Sequence, residues 1–237
     1  MEPTTGRIDA GRVIGQSFST YREYAGPLLG GAVIVIGIAG LISGLLSASD
    51  SVGLILLGSV IGLVAQFLYT GYVVKLVQDV RDGRRDSTVG ELFRAAAPFI
   101  ATLVLNGLLA GIAIGIGFFL LIVPGLILLT IWAVISPAIV VESRGAIEAF
   151  GRSRELVRGD GWAVFAAIVL AFLIVFAVSF VLGAIGAAIG DDAGQVIVSA
   201  IGSVITAPFA ALVASILFFD LGGGTAAAAE PGTEPAV

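Results

Sequence analysis

Residues Pro98–Val141 read PFIATLVLNGLLAGIAIGIGFFLLIVPGLILLTIWAVISPAIVV, 44 consecutive positions without a charged side chain. As helix, at ~1.5 Å per residue, this stretch extends roughly 65 Å, about twice the ~30 Å hydrocarbon core of a bilayer. It therefore predicts two membrane crossings. Val123-Pro124-Gly125 is the expected turn between them, and the short second run with Pro137 leaves a re-entrant hairpin as the alternative. Working outward, apolar runs near 27–46 and 52–77 precede the stretch, and runs near 162–189 and 196–219 follow it. With 98–122 and 126–141, they make six spans in an all-α polytopic membrane protein.

Composition agrees with this reading. Of 237 residues, 58% are hydrophobic and only 12% charged, about half the charged share of an ordinary soluble domain. Mean hydropathy is +1.09. Residues 1–26 form an amphipathic cytoplasmic segment, 27–219 the transmembrane domain, and 220–237 an expected disordered tail that includes Leu221–Gly224.

The cations set the orientation. Arg7, Arg12 and Arg22 precede the first span; Lys75, Arg81, Arg84, Arg85 and Arg94 cluster between the second and third. Arg144, Arg152, Arg154 and Arg158 lie between the fourth and fifth, which accounts for all 12 Lys and Arg. The positive-inside rule then places both termini in the cytoplasm of a multi-pass plasma-membrane protein, with Asp50, Pro124 and Asp191 near the opposite face.

Each cationic segment ends in a short amphipathic stretch that leads into a pair of spans. The first places Ile14, Phe18 and Tyr21 opposite Arg12, Gln16 and Glu23. The second is Val89–Ala95, and the third sets Ala146, Phe150, Ser153 and Val157 against Glu148, Arg152 and Glu155. Ser17 precedes Gly26 by the same nine positions that separate Ser153 from Trp162. The pattern predicts three units, each an interfacial helix followed by a transmembrane hairpin.

The inventory excludes whole classes of chemistry. The chain has no His and no Cys, which removes the commonest general base, the usual metal ligands, thiol nucleophiles and disulfides. No catalytic, metal or cofactor residues are assigned. A net charge of −5 disfavours a nucleic-acid partner, because phosphate binding needs a dense basic surface. The expected partner is membrane lipid.

Three sets of residues are singled out. Gly40, Gly44, Gly58, Gly62, Gly107, Gly111 and Gly115, together with Gly186 and Gly190, recur four apart and read as helix-packing positions. Gln66 and Asn106 lie at membrane depth and read as interhelical hydrogen-bond partners. Glu142 ends the fourth span beside the candidate interfacial cluster of Arg152, Ser153 and Arg154. It is expected to pair with Arg152 or Arg154; the plainer alternative is a solvated face of Arg144/Glu148 and Glu148/Arg152 pairs, worth only ~0.2 to 0.5 kcal/mol each.

The order Leu121-Ile122-Val123-Pro124-Gly125, Trp132, Pro137, Val140-Val141-Glu142, Gly145–Phe150, Arg152-Ser153, Leu156-Val157 and Gly159–Trp162 is familiar. It resembles the membrane domain family of glycerophosphoryl diester phosphodiesterases and related uncharacterised six-helix bacterial membrane proteins. Phe218-Phe219-Asp220-Leu221 also looks like that family. Some members join this domain to a catalytic domain that uses histidines and metal-binding carboxylates. Without histidine, the resemblance here implies the membrane module alone. The expected function is non-enzymatic, a membrane-embedded scaffold or lipid-associated accessory module; the alternative is a carrier or channel for a small uncharged or lipidic substrate.

Overall fold

The computed structural model describes residues 8–47, 49, 51–83, 87–189 and 192–224. Arg7, Asp50, Arg84, Arg85, Gly190, Asp191 and the segment 225–237 lie outside them. All regular structure among the described residues is helical: α1 (Ala10–Glu23), α2 (Ala25–Ala32), a π-turn (Val33–Gly37), α3 (Ile38–Ser47), α4 (Val52–Arg81), α5 (Val89–Ala96), α6 (Ile100–Leu120), α7 (Ile122–Ile131), α8 (Ile135–Glu142), α9 (Glu148–Val157), α10 (Gly161–Ile189) and α11 (Asp192–Asp220). Six helical stretches are long and apolar enough to span a bilayer. The protein is an all-helical, six-span membrane protein.

The second spans of the three hairpins form the centre. Helices α4, α8 and α11 pack against one another, while α2–α3, α6 and α10 lie outside them. Burial concentrates where these inner spans approach the charged end: Tyr69–Val77 of α4, Ile135–Val140 of α8 and Phe209–Phe218 of α11. Toward the far end the hairpins separate from one another. A cleft of about 640 Å³ opens there between α3 and α11, lined by Gly37, Gly40 and Gly44 against Ser199, Ala200 and Ser203. Exposed Phe172, Phe176 and Phe180 run down α10. Water would penalise such a surface and hydrocarbon does not.

The three short amphipathic helices repeat one packing relationship. Helix α5 rests on α4, α9 on α8, and α1 on α11, so each sits on the last span of the preceding unit and α1 closes the ring. Each buries residues one turn apart: Val13 and Ser17, Leu92 and Ala96, Ala149 and Ser153. On α9 the buried stripe is Ala149, Ser153 and Val157 rather than one through Ala146, because the helix begins only at Glu148. On α1, Phe18 is 45% exposed yet packs against Phe209 in a tilted pair, ring centres 4.9 Å apart.

The hairpin turn also departs from expectation. Extended Leu121 (φ −162°, ψ 149°) reverses the chain, and Pro124 sits inside the first turn of α7, where its missing N–H costs nothing. A Cβ on Gly117 would stand 3.0 Å from the Gly125 backbone, so this pair of glycines lets the two helices meet.

Candidate functional site

Pro137 decides the local structure of the second hairpin. A proline ring clashes with the carbonyl four residues back and offers no N–H in return, so the span breaks at Trp132–Val134, between α7 and α8. A break at membrane depth strands backbone groups that hydrocarbon cannot satisfy. Ser153 of α9 meets two of them: its hydroxyl donates to the Ile131 carbonyl at 2.9 Å and accepts from the Val134 N–H at 3.3 Å. The side chain is fully buried.

After α8, Ser143 takes a left-handed conformation (φ 53°) and turns the chain back. That reversal brings Arg152 onto Glu142. Arg152 Nε donates to Oε2 at 2.7 Å and Nη2 to Oε1 at 2.9 Å, a two-pronged grip on a carboxylate only 2% exposed. The Gly224 N–H also donates to Oε1 at 3.1 Å, and Arg144 Nε approaches Oε2 at 3.4 Å. The hydrogen bonds and charge of Glu142 push the Arg152 pKa above its ordinary value. Arg154 is exposed on another side of α9. Glu148 accepts from the Gly145 N–H instead of forming the two expected helical pairs, because it starts its helix and faces the preceding loop.

Asn106 belongs to the same assembly. Only 3% exposed, its amide donates to the Ala146 carbonyl at 2.6 Å, so it clamps the α8–α9 loop rather than a neighbouring span. Gln66 is exposed on α4, and its amide has no hydrogen-bond partner among the described residues.

A second cluster, which nothing in the sequence marks, gathers at the end of α11. Asp220 accepts from Arg81 at 2.9 Å and lies 3.6 Å from Arg12, and the Arg81 guanidinium sits 4.9 Å from the Phe219 ring centre. Leu221–Gly224, expected to be disordered, instead cap the helix. The Gly223 N–H bonds to the Phe218 carbonyl at 2.9 Å, and Gly222 and Gly224 hold φ of 81°, a conformation glycine adopts without steric cost. Glycines after an apolar helix were the available signal. The Asp79 carboxylate at the end of α4 accepts from the Ser87 hydroxyl ahead of α5, so every inner span ends in an acid tied to the next interfacial element.

The glycines divide by environment. Gly58 lies against Ser43, Gly62 near the Ser43 hydroxyl, and Gly107 under the Phe67 ring. Gly40, Gly44, Gly111 and Gly115 face open space, because neighbouring hairpins diverge toward the far end while the two spans within a hairpin stay packed.

Besides these clamps, the bundle offers a groove of about 470 Å³ between α7 and α10. Its walls include Leu126, Ile127, Thr130 and Phe165, with Trp162 at the charged end. Residues 52–212, from α4 through most of α11, match UPF0259, described as an uncharacterised protein family. The chain belongs to UPF0259. A UPF0259 membrane protein of Pectobacterium carotovorum subsp. carotovorum (strain PC1) is 39% identical over 114 residues, covering 48% of this chain and 45% of that relative. The chain thus aligns with less than half the length of this curated relative. No solved structure matches. The UPF0259 match includes Glu142, Arg152, Ser153 and Gln66 and stops short of Asp220.

Proposed function

We propose that the protein is a non-enzymatic, lipid-associated membrane module whose α7–α10 groove holds a lipid chain at the inner leaflet. The groove carries the proposal. It is lined mostly by apolar side chains, it is large enough for a stretch of acyl chain, and Trp162, 86% exposed, stands at its mouth, where an aromatic ring suits the headgroup boundary. Both termini lie in the cytoplasm in this reading, as the grouping of Lys and Arg supports. The resemblance to phosphodiesterase membrane domains also favours a role beside lipid. The carboxylates Glu142 and Asp220 are each engaged by arginine, which suits a clamp more than acid–base work.

A carrier for an uncharged or lipidic substrate is the second reading. It is favoured by the broken α7–α8 span, since discontinuous helices line many transport sites. Native mass spectrometry of protein extracted with its lipids tests the first reading. A retained lipid, lost when Leu126→Trp fills the groove, supports it, and retention unaffected by that substitution overturns it. Lipid movement between leaflets of reconstituted vesicles would move the assignment to the carrier.

A further inference from the structure

Gln66 is a polar side chain within a span to which the fold gives no hydrogen-bonding role among the described residues. It lies on α4 roughly 22 Å from Ser51 and about 13 Å from Lys75 at ~1.5 Å per residue, well inside any hydrocarbon layer the helix crosses. By the 3.6-residue period it shares a face with Ser59 and Thr70. The hydroxyls of those two are satisfied on their own helix, by the carbonyls of Ile55 and Gln66 at 2.9 Å each. The Gln66 amide is exposed and meets no partner among the described residues. An amide left bare in hydrocarbon is costly, because lipid tails offer neither donor nor acceptor.

A seat lies beside it. Gly107 of α6 packs under Phe67 of α4, which fixes the register of these antiparallel helices. Gly111 and Gly115, one and two turns farther along α6, come level with Leu63 and Ser59, and space over both glycines is open. Glycines four apart with nothing above them let another helix approach closely. A carboxamide carries donor and acceptor together, so the group that best complements it across a two-fold axis is its own copy.

We infer that the α4–α6 face is a self-association surface. A second copy of this chain seats its α4 there, and Gln66 bonds to Gln66 of the other copy across the axis.

The absence of cysteine makes the test direct. A Leu63→Cys variant is cross-linked in native membranes with a short thiol-reactive reagent, alone and combined with Gln66→Leu, Gln66→Asn or Gly111→Leu. A cross-linked dimer is expected for Leu63→Cys alone. Interhelical hydrogen bonds of this kind imply a roughly 3- to 30-fold loss of association with Gln66→Leu, partial recovery with Gln66→Asn, and loss with Gly111→Leu. Because the Gln66 amide has no hydrogen-bond partner among the described residues of the monomer, the melting temperature of detergent-dispersed Gln66→Leu monomer should be unchanged; a fall would assign Gln66 to the monomer and overturn the proposal. Absence of cross-linking, cross-linking to a different protein, or a dimer indifferent to Gln66→Leu would overturn it equally.

Discussion

Arg152 holds Glu142 through two hydrogen bonds of 2.7 and 2.9 Å, one to each carboxylate oxygen, and the carboxylate it holds is almost completely removed from solvent. The pair joins α9 to the end of α8. Through Gly224, it also joins both to the turn that caps α11. Two of the three inner spans are thus fastened at one carboxylate, while Asp220 fastens α11 to α4 through Arg81.

Breaking a buried pair from one side strands the other charge, at a cost of about 3 to 5 kcal/mol. Glu142→Gln and Arg152→Gln should each lower detergent thermostability by an amount in that range. Arg154→Gln should cost under ~1 kcal/mol, since that side chain is exposed. The double variant Glu142→Gln/Arg152→Gln should fall well short of additivity. Additivity within ~0.3 kcal/mol would mean that the two side chains do not interact.

Ser153 offers a second measurement. Replacing it with alanine leaves the Ile131 carbonyl and the Val134 N–H unpaired at the break, and each buried orphan costs about 1 to 3 kcal/mol. Ser19→Ala is the control, because Ser19 is exposed and its hydroxyl bonds only to the Gln16 carbonyl. Equal melting temperatures for the two variants would show that Ser153 does not hold the break together.

The six spans were legible because hydrocarbon selects on composition over some 20 residues, a signal that survives local detail. Glu142 and Arg152 were also readable as neighbours: a carboxylate ending a span faces an amphipathic helix only a few residues on. Arg81, Arg12 and Asp220 were not, since they stand 139 and 208 positions apart and meet through the closure of the ring. Leu121 took the turn expected at Pro124 because proline fits the first turn of a helix as well as it fits a bend. Spacing alone could not separate Gly107 from Gly111, because packing depends on how far the partner helix stays in contact.

That last distinction can be measured. Gly107→Ala would place a methyl carbon against Phe67 Cζ, at the tip of the ring, and should destabilise the protein by about 1 to 3 kcal/mol as the ring is displaced. Gly111→Ala meets open space and should leave the melting temperature of the detergent-solubilised monomer unchanged or slightly higher, since alanine also favours helix by up to ~1 kcal/mol. Equal destabilisation by both would mean that α4 and α6 stay packed along their whole length.

The orientation yields the remaining prediction. All 12 Lys and Arg lie in or beside the three alternate segments that carry α1, α5 and α9, and the positive-inside rule acts on short segments like these. Single cysteines at Ser87 and Arg158 should therefore resist a membrane-impermeant thiol reagent added to intact cells and react after permeabilisation. A cysteine at Ser51, which caps the other end of α4, should react from outside. The positions have to agree as a set, because six spans put Ser87 and Arg158 on one side and Ser51 on the other. Labelling of residue 87 from outside together with protection of residue 51 would invert the protein. Labelling of 87 and 158 from opposite sides would remove a crossing from the α6–α8 hairpin and leave the re-entrant arrangement that Pro137 first suggested.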